Sequence, residues 1–444
     1  YPQAVLIIMR RMFSLNMVPE MLQVKEWYVT ALERNTALSQ RERDNYYGEL
    51  EVILSFLAFN SITGMSEHHR RAYKLLSSAP QTLSKQGIWT FGAPSVLGLY
   101  LRTGCSLQQT VEDMQECMPP YYLLSGWHGA GAAELTEAEA LLLQGRIDEM
   151  DMPLQKAYYQ AEKHGQECIT ICCDFLAMQR DLFRGVYSSK AEAYSRHQWQ
   201  LQPWKQSMLL NTADMCAGFY YALLGKQEYI PSWLTDENGQ QPSVLYPARP
   251  CRNYISAQCL LAQGQYTELL VRWSDWEQEC RPYSNFLCLL YLQVQRAAAF
   301  AGRGDVTSCR ASLKQALAMA AADKLVLPLA QNVALLRPYL EQEAQGEYSA
   351  TAAAALHLGQ QLEAGRGQIM SAFFAEAGLQ ELTEQELQIA QLAAARHTNR
   401  EIAQRLSLSE GTIKQYLNKI FAKLQIDAAA KNKRHQLERF FPNS

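Results

Sequence analysis

A polar and basic segment between residues 410 and 424 has the side chains needed to recognise nucleic-acid bases. Small, amide and lysine residues fall on one face of a predicted helix: Gly411, Lys414, Gln415, Asn418, Lys419 and Ala422. Short side chains allow close approach to a major groove, asparagine and glutamine pair with adenine, and lysine reaches guanine or phosphate. The segment predicts base recognition; taken alone, it also fits an amphipathic helix that only packs against its neighbours.

The opposite face of this helix is apolar. Residues Ile413, Leu417, Ile420 and Leu424 recur at steps of 4, 3 and 4 and form one stripe. Ser409 is the predicted N-cap of a helix from Glu410 to Gln425, and Ser407-Leu408 is a short turn before it. The spacing therefore predicts a helix with its lysine and amide face turned to solvent.

Two more helices are predicted ahead of this segment. Thr383 has a glutamate, Glu386, three residues later, which is the pattern of a capping box. A helix is expected from there to about Arg396. A second helix is expected to begin with Asn399 as its N-cap and to end near Leu406.

The spaced residues of this C-terminal module resemble the helix-turn-helix of LuxR-type transcription factors. The matching positions are Leu382-Thr383, Glu386, Thr398-Asn399-Arg400-Glu401-Ile402-Ala403, Leu406, Ser409, Thr412-Ile413-Lys414 and Lys423-Leu424. The resemblance implies that Lys414 faces bases or phosphate, that Thr412 and Lys423 touch the DNA backbone, and that a last helix over 428–440 supports dimerisation. The expected DNA-binding residues are thus Thr412, Lys414, Gln415, Asn418, Lys419 and Lys423.

Four positions depart from the family pattern. Arg396 replaces a glycine after the first helix, Tyr416 replaces a histidine, Gln425 replaces a second glycine and Ala429 replaces a frequent arginine. The departures at Arg396, Tyr416 and Gln425 are the main support for a rival hypothesis, in which the chain is a protein-interaction scaffold whose C-terminal module does not bind DNA.

The residues before the module, here called the body (residues 1–381), contain glycines at intervals close to forty residues. These are Gly64, Gly104, Gly145, Gly185, Gly225, Gly264 and Gly302 or Gly304. Each follows an apolar segment with helical spacing, so each is predicted to end a helix in the left-handed conformation. Asn16 and Gly346 would extend the series at either end.

This period predicts an all-α fold, a tetratricopeptide-like superhelix of about eight long helical hairpins. We predict a repeat domain over residues 1–345, a terminal helical hairpin and linker over 346–380, and a four-helix LuxR-type helix-turn-helix domain over 381–444. The turn-rich stretch from Pro231 to Pro250 is predicted to be a loop between helices.

Charge is distributed unevenly along the chain. Residues 382–444 contain ten lysines and arginines against six aspartates and glutamates, a net charge of +4. Since the whole chain of 444 residues carries −3, the body carries −7. An acidic body with a basic terminal module is typical of a regulator whose tail touches nucleic acid.

Composition excludes several other classes of protein. With 48% hydrophobic and 19% charged residues the chain is neither disordered nor fibrous. The longest apolar stretches, Val52–Phe59 and Phe286–Leu292, are too short for a membrane span, and Tyr1–Leu6 does not look like a signal peptide. Eleven scattered cysteines without a CxxC pair predict reduced, mostly buried thiols in a cytoplasmic protein.

Helical repeats followed by such a module also resemble the large ATP-dependent LuxR-type regulators typified by the maltose-operon activator. In that group an ATP-binding domain precedes the repeats. This chain starts at Tyr1 rather than methionine and contains no Gly-x-x-x-x-Gly-Lys-Ser/Thr loop. No cofactor is therefore expected within the chain, and ATP is expected only if an upstream domain belongs to it.

Three other residue groups have a functional and a structural interpretation. Ten aromatic residues between Tyr220 and Tyr283 could line an effector pocket or form the core between helices, and the core is favoured. Glu67 and His68-His69 fit a solvated helix face better than a metal site, and Cys168 and Cys172-Cys173 fit buried thiols. Neither GxSxG nor HExxH occurs, so no enzyme is predicted.

Together these features predict a sequence-specific DNA-binding regulator of transcription, with activation favoured over repression. The expected partners are double-stranded DNA and a small molecule or protein sensed by the body. RNA polymerase is a candidate further partner, and a dimer or higher oligomer is expected on DNA. No membrane association is expected.

Overall fold

In a computed structural model, the chain is all-α, as predicted. The structure describes residues 2–85, 87–196, 206–236, 244–424, 426 and 437. These residues form 21 α-helices, a few 3-10 turns and no β-strand. None of the helices in the described ranges combines the length and hydropathy that crossing a membrane requires.

The helices are numbered in chain order. The first nine are α1 (Pro2–Ser14), α2 (Val18–Arg34), α3 (Gln40–Ser55), α4 (Ile62–Leu75), α5 (Leu97–Tyr100), α6 (Leu107–Ser125), α7 (Ala132–Leu143), α8 (Asp151–His164) and α9 (Glu167–Phe183). The next nine are α10 (Ser189–Ser195), α11 (Gln206–Leu224), α12 (Arg249–Ala262), α13 (Tyr266–Cys280), α14 (Phe286–Gly302), α15 (Val306–Ala321), α16 (Leu327–Gln331), α17 (Val333–Glu343) and α18 (Ser349–Gln380). The last three are α19 (Glu384–Ala394), α20 (Asn399–Leu406) and α21 (Glu410–Lys423).

The chain forms two compact units. The first contains residues 1–183 and 188–362, and the second contains residues 184–187 and 363–444. Within the first unit, a helix typically contacts the next helix and the next but one: α7 contacts α8 and α9, and α12 contacts α13 and α14. Paired helices of this kind are what the sequence predicted, while the superhelix with a forty-residue period stays a prediction.

Glycines end several helices at the predicted interval. Five of them follow the last residue of a helix by one or two positions and have φ between +68° and +84°: Gly145, Gly185, Gly225, Gly264 and Gly304. Glycine adopts this left-handed conformation without the steric strain that a Cβ atom brings. The prediction was wrong for Gly64, which lies in the first turn of α4, where its amide donates to the N-cap hydroxyl of Ser61.

Residues 349–380 correct another prediction. They form the single long helix α18 rather than a hairpin and a linker. Alanine, leucine and glutamine dominate the segment and favour a helix. Their helix propensity outweighs the destabilisation by Gly359, Gly365 and Gly367, which is about 1 kcal/mol for each glycine relative to alanine. A Cβ atom on Gly359 would lie 2.7 Å from the Val333 side chain, so this glycine allows α18 to pack closely on α17. The predicted domain limits stay predictions.

Several of the ten aromatic side chains in the middle of the body belong to its core, while Tyr229 is 41% exposed. Tyr220, Tyr221 and Tyr254 are at most 2% exposed. The Tyr254 ring stacks on Tyr291 with 4.5 Å between centroids and meets Phe219 edge-on at 5.9 Å. The turn-rich stretch after Pro231 contains short 3-10 turns before α12 begins at Arg249, and its residues 237–243 lie outside the described part of the chain.

The histidine pair and the cysteines are mostly buried. His69 is 6% exposed and lies 3.1 Å from the Ser55 hydroxyl, while His68 Nδ1 lies 2.6 Å from the Glu51 carboxylate. The prediction of a solvated face was therefore wrong for His69, because α4 packs this face against α3 and α6. All eleven cysteines are free, and ten are buried, as predicted.

Candidate DNA interface

The first helix of the C-terminal module begins as the sequence predicted. Thr383 is the N-cap of α19, and its hydroxyl accepts a hydrogen bond from the Glu386 amide at 3.3 Å. The Glu386 carboxylate accepts one from the Thr383 amide at 2.8 Å. Both bonds of the predicted capping box are present, so the entry into α19 is fixed within four residues.

Glu386 also joins α19 to the end of α21. Its carboxylate accepts a hydrogen bond from Lys423 Nζ at 2.6 Å, and the same ammonium donates to the Glu381 backbone oxygen at 3.0 Å. Glu386 is 4% exposed. The bond from Lys423, followed by the one from the Thr383 amide, holds the pKa of this carboxyl below its ordinary value.

The second helix begins one residue earlier than predicted. Thr398, not Asn399, is the N-cap of α20, and it forms a capping box with Glu401. The Thr398 amide donates to the Glu401 carboxylate at 2.7 Å, and the Glu401 amide donates to the Thr398 hydroxyl at 3.3 Å. Thr398 rather than Asn399 caps the helix because a glutamate lies three residues after Thr398, whereas Ile402 lies three residues after Asn399.

A tight turn connects α20 to α21. Ser407 ends α20 with φ of +55°, and the Leu408 amide donates to the Ala403 oxygen at 2.9 Å. Ser409 then caps α21 by accepting a hydrogen bond from the Thr412 amide at 3.1 Å. The predicted turn at Ser407-Leu408 and the predicted N-cap Ser409 are both confirmed.

One face of α21 is buried in the core of the module. The predicted apolar stripe is at most 6% exposed: Ile413, Leu417, Ile420 and Leu424. These side chains pack with Ile389 and Ala393 of α19 and with Ile402 of α20. Since α21 contacts both preceding helices, the stripe fixes which way its other face points.

The other face of α21 is turned to solvent. Its exposed residues are Gly411, Lys414, Gln415, Asn418, Lys419 and Ala422. Among the described residues, none hydrogen-bonds to the side chains of Lys414, Gln415 or Asn418. These side chains are free to contact a ligand that approaches this face.

Glycine at position 411 leaves the start of this face flat. A Cβ atom on Gly411 would come no closer to the described residues than 3.7 Å, from the Ser409 hydroxyl. Packing does not require glycine here. The open space therefore lies on the solvent side, where a large partner could approach the backbone of α21.

The other predicted site residues are more constrained. Thr412 is half-buried, and its hydroxyl lies 2.8 Å from the Ser409 hydroxyl. Lys419 Nζ lies 5.9 Å from the centre of the Tyr416 ring. Lys423 is held by Glu386, so its ammonium is less available than those of Lys414 and Lys419.

A comparison with protein families matches residues 380–431 to the bacterial regulatory proteins of the luxR family. Residues 380–431 form a LuxR-type helix-turn-helix domain. The match covers α19, α20 and α21, the three described helices of the module. A comparison with curated proteins finds no significant match to the chain.

The LuxR-type domain accommodates two of its departures from the family pattern. Arg396 takes the place of a glycine and adopts a left-handed φ of +65° after α19. Tyr416 takes the place of a histidine, and its hydroxyl donates to Gln385 Oε1 at 2.9 Å, which adds a link between α21 and α19. The fold of the domain thus tolerates both changes.

Two surface cations of the LuxR-type domain were not among the predicted site residues. Arg400 and Arg405 are exposed on α20 and form no ion pair among the described residues. The sequence could have indicated them, because both lie on the first helix of the helix-turn-helix, and this helix crosses the DNA backbone in such motifs. The predicted last helix, 428–440, lies outside the described residues except for Leu437, which is buried with the core.

Proposed function

We propose that the chain is a sequence-specific transcription regulator that places α21 in the major groove of DNA. The exposed face of α21, with Lys414, Gln415 and Asn418 opposite the buried stripe, is the observation that carries this proposal. Two amides and a lysine offer the donors and acceptors that pair with adenine and guanine edges. In this role these three side chains contact bases.

Other residues of the module contact the phosphate backbone. Thr412 is in the first turn of α21, where the helix dipole favours an anion. Lys419 of α21, together with Arg400 and Arg405 of α20, adds positive charge that replaces counterions on phosphates. Lys423 supports the contacts with the DNA backbone without making one itself, because its ammonium holds α21 against α19.

The body senses an effector or a protein partner and controls how two modules are presented to paired half-sites. A dimer is favoured because one small module buries too little surface for tight specific binding. Activation of transcription, with RNA polymerase as a further partner, is the favoured outcome. The closer grouping with the large ATP-dependent regulators stays a prediction.

Fluorescence anisotropy of the whole chain with a mixed pool of labelled duplex DNA tests the proposal. Affinity is expected to fall by at least tenfold between about 50 and 200 mM salt. Lys414→Ala with Asn418→Ala is expected to abolish binding above background. The matched control, Lys156→Ala with Gln155→Ala, removes a lysine and an amide from the exposed face of α8 and should leave binding unchanged.

Absence of salt-dependent binding would favour the interaction scaffold. The same titration with residues 380–444, after a check of their helix content by circular dichroism, separates two causes. Binding by this fragment but not by the whole chain would mean that the body prevents the module from binding DNA. No binding by either protein would reject a DNA-binding function.

A further inference from the structure

The first compact unit contains a cavity of about 340 Å³ that is remote in sequence from the LuxR-type domain. Helices α1, α3, α4, α5, α6 and α11 line it, together with residues from 83–84 and 87–91 and with His128 and Leu245. Liquid water occupies about 30 Å³ per molecule, so the volume is about ten times that of one water. It falls within the range of about 300–1,000 Å³ typical of ligand pockets.

Aromatic rings form much of the cavity wall. Phe13 and Phe56 stack with 5.3 Å between their centroids, and Trp89 and Tyr100 stack at the same distance. Phe91 meets Phe56 edge-on at 6.3 Å. Such walls favour a flat apolar ligand, because ring faces and edges pack well against another ring.

A guanidinium group lies among the aromatic groups. Arg10 is the one arginine among the described residues that line the cavity, and no lysine, aspartate or glutamate is among them. Its guanidinium donates to the Thr82 backbone oxygen and forms no ion pair among the described residues. Arg10 is half-buried, and the partial loss of water around its guanidinium lowers its pKa. A partly buried cation without a counter-ion favours an anionic ligand.

Further hydrogen-bonding groups line the cavity. The Tyr121 hydroxyl lies 2.6 Å from His128 Nδ1, and His69 Nε2 lies 3.1 Å from the Ser55 hydroxyl. Burial lowers the pKa of His69 to about 3, so this ring is neutral at physiological pH. These groups give polarity without a negative charge.

One buried hydroxyl still lacks a hydrogen bond. Tyr100 is 3% exposed, and its OH group has no partner among the described residues. A buried hydroxyl without a partner destabilises a protein, because it has lost its hydrogen bonds to water. A ligand oxygen in the cavity would accept the bond that this hydroxyl can donate.

We propose that this cavity binds a small aromatic carboxylate. The carboxylate pairs with Arg10, the Tyr100 hydroxyl donates to a ligand oxygen, and the ring packs between the aromatic side chains. A cationic ligand is disfavoured, because no carboxylate lies among the described lining residues. That this ligand is the effector rests on the proposed function, whereas its binding does not require DNA.

Titration calorimetry of the whole chain without DNA tests the site. The probes are 1-naphthoate and the neutral, nearly isosteric 1-naphthamide. Naphthoate is expected to bind at least tenfold more tightly than naphthamide. Arg10→Met should remove this preference, and Tyr100→Phe should weaken naphthoate several-fold while removing a single oxygen atom.

Arg11→Met is the matched control, because Arg11 is exposed on the same helix. It should leave both affinities unchanged, and melting curves of all variants report whether each is folded. If Arg10→Met fails to fold, the Tyr100→Phe variant and the comparison of the two probes still test whether the cavity binds a carboxylate. Equal affinity for both probes, no naphthoate binding up to roughly 10 mM, or an equal loss in Arg11→Met would overturn the proposal. The anisotropy titration without naphthoate decides the DNA-binding function separately.

Discussion

The ammonium of Lys423 lies 2.6 Å from the carboxylate of Glu386, so the last turn of α21 is tied to the first turn of α19. The same carboxylate completes the capping box with Thr383. One buried acid therefore supports both the start of the module and the orientation of the helix that presents Lys414 and Asn418.

Replacing this acid should loosen the module. Glu386→Gln removes the ion pair and weakens the cap, so we expect a loss of about 1–2 kcal/mol in the opening free energy of α19 and α21. Hydrogen exchange of the whole chain, followed by mass spectrometry, measures it as about tenfold faster exchange in these helices. Lys419→Met, which removes an exposed cation from α21, is the control and should leave exchange unchanged.

The effect of Glu386→Gln should depend on pH. Hydrogen bonds from Lys423 and Thr383 lower the pKa of the folded carboxyl below its unfolded value of about 4.3. The stabilisation is thus complete above the unfolded pKa and is lost as pH falls through the lower folded pKa. The opening free energies of wild type and variant should therefore converge in acid. A difference between them that grows in acid would contradict the assigned ion pair.

Base and phosphate contacts should respond differently to substitution. Asn418→Ala should cost about 1–3 kcal/mol at one base-pair position and relax sequence preference there. Lys419→Met should weaken all sequences alike and reduce the slope of log K against log salt by about one. Binding to a library of duplexes at several salt concentrations measures both. If the two variants gave the same pattern, the separation of roles would be wrong.

The flat start of α21 offers a variant that separates folding from binding. Gly411→Leu adds a side chain on the solvent side, where a Cβ atom meets nothing closer than 3.7 Å among the described residues. Leucine also favours a helix by several tenths of a kcal/mol relative to glycine. Helix stability should rise slightly while DNA affinity falls at least tenfold, as measured by hydrogen exchange and anisotropy. Undiminished affinity would mean that this end of α21 does not approach DNA.

Thiol chemistry tests the packing of the body. Cys105 is exposed and the other ten cysteines are buried, and burial raises the pKa of Cys172, Cys173 and Cys216 well above the ordinary thiol value. A native chain should therefore react rapidly with one equivalent of a disulfide reagent such as Ellman's reagent, since the thiolate is the reactive form. Cys105→Ser should abolish the fast phase, and unfolding in urea should expose the remaining ten thiols. Rapid reaction of several thiols in the native chain would show looser packing.

Local features of the module could be predicted because each depends on residues three or four positions apart. The Thr383 and Glu386 box, the Ser409 cap and the stripe from Ile413 to Leu424 are of this kind. The start of α20 was missed by one residue, although the glutamate at 401 pointed to Thr398. When two adjacent residues both favour an N-cap, the residue three positions after each of them decides which one caps the helix.

Features that depend on tertiary packing could not be predicted. A helical hairpin and a linker were predicted over 346–380, yet Gly365 and Gly367 of this segment lie within the single helix α18. His69 was expected in solvent, because its sequence neighbours do not show that α6 covers it. The cavity joins Arg10 to Tyr100 and His128, and no periodicity in the sequence relates positions so far apart.

The helix caps of the module have a consequence for folding kinetics. Thr383, Thr398 and Ser409 each accept a hydrogen bond from the amide three residues later. The body instead needs contacts such as the bond from Asn285 Nδ2 to the Gly98 oxygen, which spans 187 residues. Because local contacts form fastest, we expect the module to regain its helices within microseconds to milliseconds of dilution from denaturant. The body should fold in slower phases, so protection of α19–α21 from hydrogen exchange should return before the thiols of the body are buried again.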